Sequence, residues 1–182
     1  MASPQSLSEA DRRLVALWAA DCAERVLPLF EANVPDDGRA RDGIERTRAF
    51  GRGELDTAVQ IRRRFEAGRA AQSATEPAAV AAARAAGQAT GVAHMGAHAL
   101  GAAAYAAKAA ALAAADREAG RRAEVRWQLD QMTADVRTAL SRLPLLGSDS
   151  SGPLGPGLMT SGVLAQTVRE LQTELARAAA SD

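Results

Sequence analysis

His94 and His98 stand four residues apart. On a helix that spacing projects both imidazoles from one face, where two side chains can share a metal ion. Two ligands are too few for a site. The residues between them are Met95, Gly96 and Ala97, so the glutamate of a zinc-protease HExxH is missing, and the chain has no further histidine. Carboxylates such as Asp21 or Glu45 would have to complete a shell. Buried, hydrogen-bonded histidines are the simpler reading, and no metal or other cofactor is expected. The same face continues to Gly101 and Tyr105, which suggests a polar seam inside a helix bundle. Near the N-terminus, Asp21 lies at the margin of an apolar stripe with Arg25 one turn later, a pair worth about 0.2–0.5 kcal/mol if exposed. Arg62, Arg63 and Arg64 form the densest basic run, but consecutive helical residues spread around the circumference and Glu66 follows, so a solvated face is expected rather than a phosphate grip. The glycines between Gly152 and Gly157 are interrupted by prolines and lack a following Lys-Ser or Lys-Thr pair, which excludes a phosphate-cradling loop. No serine sits in a nucleophile elbow. Cys22 belongs to an apolar stripe and reads as a buried structural thiol. The chain is expected to act by binding, not catalysis.

These residues need elements to hold them. The chain has 182 residues, enough for one core plus an appendage. Apolar residues make up 47% but aromatics only 3%, with alanine dominant, which favours closely packed helices over sheets stacked on bulky side chains. Twenty-two basic and 22 acidic residues are intermixed, so no net field attracts nucleic acid or an anionic membrane. A lone cysteine excludes an internal disulfide, and the N-terminus lacks the basic and apolar regions of a secretory signal; a cytoplasmic location is expected.

Ser8, with Glu9 and Asp11 in the first turn, predicts a helix start. Leu14, Trp18, Cys22, Val26 and Leu29 form its stripe, with a kink near Pro28 and an end ahead of Pro35. Asp36 and Asp37 read as the cap of a second helix that turns Ile44, Thr47 and Phe50 inward and stops around Gly51 and Gly53. A third runs from about Glu54 to Ala71, with Leu55, Ala58, Val59, Arg62 and Phe65 near its buried side. Pro77 opens an alanine-rich stretch. From Ala85 to Ala107 there is no Asp, Glu, Lys or Arg, a run that must be weighed as a membrane span. His94, His98, Gln88, four glycines and few large aliphatics favour instead a buried central helix pair with a break near Gly91 to Gly96. The charged stretch from Asp116 to Arg126 suggests a helix leaving the core, and Thr133 caps a later helix holding Val136, Leu140 and Leu143. Residues 144–162 are rich in Gly, Pro and Ser and read as a flexible linker. Beyond it Leu164, Val168, Leu171 and Leu175 make an amphipathic helix that docks on the body or on a second copy. The expectation is all-α: a compact bundle of about six helices with a central Ala/Gly-rich pair, divided into a helical domain over residues 1–143, a linker over 144–162 and a C-terminal amphipathic helix over 163–182.

Several segments resemble, in order and spacing, the immunity-five-like family of bacterial polymorphic toxin systems. They are the run from Asp11 through Trp18, Asp21, Cys22 and Pro28 to Glu31; the Pro35-Asp-Asp-Gly-Arg39 turn leading to Ile44-Glu45-Arg46-Thr47-Arg48; the stretch from His94 through His98 and Tyr105 to Lys108; and Arg126-Trp127-Gln128-Leu129. The resemblance spans about residues 8 to 143. It implies a helical cytoplasmic protein that neutralises a cognate toxin by binding it. Trp18, Trp127 and Tyr105 are the large amphipathic anchor candidates for such an interface. The candidate polar cluster is Asp21, Asp37, Arg39, Glu45, Arg48, His94 and His98, joined by Tyr105. Two alternatives stay open: a small-ligand receptor with a pocket near His94, His98 and Tyr105, and a metal-dependent enzyme using both histidines and nearby carboxylates. A protein toxin is the expected partner, with no nucleic acid or membrane, and a homodimer through residues 163–178 is possible.

Overall fold

The Ser8 hydroxyl accepts from the Asp11 amide at 3.0 Å and so starts α1 (Glu9–Asn33) in the computed structural model, which describes residues 3–180. The ends of the two outer spans expected above, residues 1–2 and 181–182, lie outside these. The buried stripe of α1 carries Trp18, Cys22 and Val26 as expected. It is flanked by Val15 and Phe30, both fully buried, while Leu14 is exposed and Leu29 only partly covered.

α2 (Arg39–Gly51) follows a turn in which Asp37 Oδ1 accepts from the Arg39 amide at 3.1 Å, and Gly53, at φ +79°, reverses the chain after it. The expected long third helix is broken. Asp56 caps α3 (Thr57–Arg63), a single turn α4 (Glu66–Arg69) follows, and a 3₁₀ turn covers Ala70–Gln72. The buried side also differs: Gln60 is inside and donates to Thr47 Oγ1 at 3.2 Å, whereas Ala58, Arg62 and Phe65 are exposed. The hydrogen bond between these two buried polar side chains fixes the face that α3 turns inward, although Gln60 Oε1 has no partner among the described residues, and the interruption after Arg63 re-aims the next turn.

α5 (Pro77–Gly91) and α6 (His98–Ala113) form the central pair, joined by a non-helical connection at 92–97, and α1 packs on both. Alanine lets these rods approach closely. At Gly87 the approach is backbone to backbone: a Cβ there would lie 2.7 Å from the Gly68 Cα of α4. Because that neighbour is backbone, Gly87→Ala must push α4 away. We expect a net loss of about 1–2 kcal/mol after the helix-propensity gain of alanine, read by denaturant unfolding.

Asp116 caps α7 (Arg117–Asp130), and this charged stretch packs on α6 instead of leaving the core. Its buried polar side chains are paired except at Gln128 Oε1, which has no partner among the described residues. Trp18 Nε1 donates to the Gln128 carbonyl at 2.9 Å, the Gln128 side chain donates to the Ala103 carbonyl at 3.0 Å, and Glu124 meets Arg25 at 2.7 Å. Arg121, 3% exposed, is held between Glu118 and Glu170 at 2.8 and 2.6 Å. α7 and the earlier break explain why eight helices of seven or more residues occur among the described residues, with α4 as a further turn, where about six were expected. No strand occurs among those residues.

Thr133 caps α8 (Ala134–Ser141) as predicted. Residues 144–162 contain no α-helix before α9 (Gly162–Ala179) begins at their end, yet they bury more than the expected linker would. Leu154 is fully buried; its amide donates to Gln5 Oε1 at 2.9 Å, and Gln5 Nε2 donates to the Ser151 carbonyl. Gln5 is itself fully buried, and its carbonyl accepts from the Ala97 amide at 3.0 Å, so one residue ties the N-terminal segment to both loops. Gln5→Ala should orphan the Leu154 amide and lower stability by about 1–2 kcal/mol in the same unfolding assay. On α9, Leu164, Val168, Leu171 and Leu175 are buried and the helix packs on α6 and α8 of its own chain. A homodimer through that face would have to displace it. No helix among the described residues is long and apolar enough to cross a membrane.

A candidate cavity at His98 and a charged face at Trp127

The interruption between α5 and α6 separates the two histidines. His94 is exposed in the 92–97 connection, while His98 begins α6 and is largely covered. Their four-residue spacing is therefore not helical, and they do not share one face. Among the described residues no three of His, Cys, Asp or Glu stand together as a metal site. His98 Nδ1 instead donates to Gln88 Oε1 of α5 at 2.8 Å, which leaves Nε2 as the acceptor nitrogen. Burial, reinforced by the charges of His94 and Arg64, pulls the His98 pKa down to about 4.

Two glycines make room for this pair. A Cβ at Gly91 would stand 2.9 Å from the imidazole ring, and one at Gly101 would collide with the Gln88 amide. His98 closes one end of a cavity of about 400 Å³ between α4 and α5, floored by Gly68, Gly87 and Gly91. Its walls include Arg64, Arg69, Arg84 and Phe65. Neither His94 nor Tyr105 lines it. Tyr105 is 7% exposed within α6, and burial raises its hydroxyl pKa. The expected convergence of the three side chains thus reduces to His98 alone.

The remaining candidates fall into separate groups. Arg48 of α2 bridges Asp21 and Glu24 of α1 at 2.6 Å each, and its hydrogen bonds hold the Glu24 carboxyl below its ordinary pKa. Asp37 and Arg39 pair in the exposed turn before α2, where Arg39 also donates to Ser73 Oγ at 2.8 Å. That guanidinium pulls the Asp37 pKa down to about 2. Glu45 is exposed on α2 and pairs with none of these. Cys22 is fully buried, and desolvation first, then the charges of Glu124 and Asp21, push its thiol well above its ordinary pKa. It is a protonated core residue.

Of the three anchor candidates, Trp18 is 2% exposed and committed to its bond with Gln128. Only Trp127 reaches the surface. The Arg25 guanidinium lies 4.4 Å from its ring centroid, and both border a depression of about 300 Å³ with Asp21, Glu24 and Gln131. This face joins the Arg48 bridge to Trp127 across α1, α2 and α7.

Residues 5–135, which hold both the cavity and this face, match the family described as Imm-5 like putative immunity protein. The match covers well over half the chain. The chain belongs to the Imm-5-like family. No curated protein and no solved structure matches it. The Imm-5-like region runs from the Gln5 clasp to the start of α8, and α9 lies beyond it. Sequence reasoning missed Gln88 as the partner of His98, and it missed Arg64, Arg69, Arg84 and Phe65 as cavity walls. The glycines at 87, 91 and 101 were the available signal, since each removes a side chain that would fill this space.

Proposed function

We propose that this Imm-5-like chain neutralises a cognate bacterial protein toxin by binding it, with the face around Trp127 as the contact surface. Membership in an immunity-protein family is the observation that carries the reading. The geometry adds an anchor, because Trp127 is the one large amphipathic side chain of the three candidates that a partner can reach. Arg25 holds that ring from one side, and the Asp21, Glu24 and Arg48 bridge sets fixed charges beside it. Tryptophan and arginine prearranged in this way lose little freedom on binding and are typical interface anchors.

The tagged protein, recovered from its native cell extract, should bring down a toxin domain, and its co-expression should protect cells from that domain. If no toxin domain is recovered and no protection follows, the reading fails. The cavity at His98 favours a second reading, a small-ligand-binding bundle, since about 400 Å³ lies within the ~300–1,000 Å³ range of ligand pockets.

A further inference from the structure

The cavity between α4 and α5 is lined by three guanidiniums and no carboxylate, in a chain whose acidic and basic residues balance. Neither Arg69 nor Arg84 makes an ion pair or side-chain hydrogen bond among the described residues. The nearby carboxylate is committed elsewhere: Glu66 pairs with Arg63 at 2.9 Å and with Arg46 at 3.2 Å. Most other arginines in the fold do have acidic partners, as Arg25, Arg39, Arg41, Arg48 and Arg121 show. Arg64 donates to the Ile61 carbonyl at 2.6 Å through one nitrogen and keeps its other donors. Two guanidiniums without partners among the described residues, beside this third one, attract an anion, and arginine is the side chain best shaped to grip phosphate oxygens.

The other walls narrow the ligand. Phe65 is 57% exposed, an unusual position for an aromatic ring, and the Arg64 guanidinium lies 4.2 Å from its centroid. That surface suits a flat apolar group. His98 offers a ring nitrogen without a partner among the described residues, fixed in orientation by Gln88 and by the absence of a side chain at Gly91. This nitrogen meets a phosphate oxygen through one proton, either the one left on the monoanion or one that the imidazole takes up as the dianion binds. A phosphate ester brings about −1.5 to −2 charge at neutral pH, a closer match to three arginines than a single carboxylate.

We propose that this cavity binds a small aromatic phosphate monoester, its phosphate held by Arg64, Arg69 and Arg84 next to His98 and its ring laid on Phe65. The proposal deepens the small-ligand reading and is independent of toxin neutralisation. It is tested on the purified chain alone with phenyl phosphate, inorganic phosphate, benzoate and phenol as probes, by calorimetry and by the ring resonances of His98.

Phenyl phosphate should bind at one site with Kd below about 1 mM and shift the His98 resonances. Benzoate and inorganic phosphate should each bind about tenfold more weakly or worse, and phenol not at all. Arg69→Gln and Arg84→Gln should each weaken phenyl phosphate about tenfold, the usual loss of one charge-assisted contact. Because neither arginine has a partner among the described residues, both variants should melt like the parent. Arg122→Gln, on the exposed side of α7, should change nothing. The proposal is overturned if phenyl phosphate does not bind at ten times that concentration, if its binding ignores Arg69→Gln and Arg84→Gln, or if benzoate or inorganic phosphate binds as tightly. Toxin protection enters none of these readouts, so either reading can fail without the other.

Discussion

Lowering the pH from 7 to 4 should cost the protein about 3 kcal/mol of stability through His98 alone, about 2 kcal/mol of it by pH 5. The sign follows from the depressed pKa. His98 titrates near its ordinary 6.5 in the unfolded chain but at about 4 in the fold, so between these values the unfolded state binds the extra proton. Stability contributed by the neutral ring is full above pH 6.5 and is lost as the pH falls toward 4. Arg64, which lines the same cavity, is one of the charges that already hold this pKa down. The paired carboxylates act lower: Asp37 at about 2, and Glu24 below its ordinary value, contribute stability lost at more acidic pH. Denaturant unfolding of the parent and of His98→Gln across pH 7 to 4 isolates the imidazole. The parent curve should fall away from the variant by the stated amounts. Parallel curves would mean that His98 is not held neutral.

Trp127→Ala should weaken binding to the cognate toxin by about thirtyfold or more, equivalent to about 2 kcal/mol, while Trp127→Phe recovers much of it. The ring is half-buried, and truncation removes the contact with Arg25 as well as the anchor. Phenylalanine keeps a surface for that guanidinium, so the pair of variants separates a lost interface from a loosened α7. Arg25 stays tied to Glu124 in either case, which keeps α1 and α7 together. Affinities measured by calorimetry against the recovered toxin domain, with melting temperatures beside them, decide the matter. Equal affinities for all three proteins would place the interface elsewhere.

What sequence could show of this molecule follows from the range of the signals. Helix starts at Ser8, Pro77 and Thr133 were legible because capping is local: the side chain and the amide it meets lie within one turn. The break before His98 was legible through its glycines. The face of α3 was not, because it depends on Gln60 reaching Thr47 across a helix boundary, and a buried glutamine leaves no periodic mark. Gln5 and Gln128 escaped for the same reason, since their partners lie 149 and 25 residues away. A family resemblance groups polar residues without saying which of them touch. Only Asp21 and Arg48 prove to be directly paired through space between helices, while Asp37 and Arg39 pair within one turn. Arg64 reads as part of a solvated basic run, and Arg69 and Arg84 carry no motif, because nothing local to them indicates that Gly68, Gly87 and Gly91 open a hollow between their helices.

The central claim is that neutralisation is stoichiometric occupation and not chemistry on the toxin. The direct measurement is a titration of the recovered toxin domain's activity with the purified chain, followed by mass analysis of the toxin after denaturation. Inhibition should reach completion near one equivalent, with the toxin recovered at its original mass. Complete inhibition by a small fraction of an equivalent, with the toxin cleaved or modified, would contradict the account.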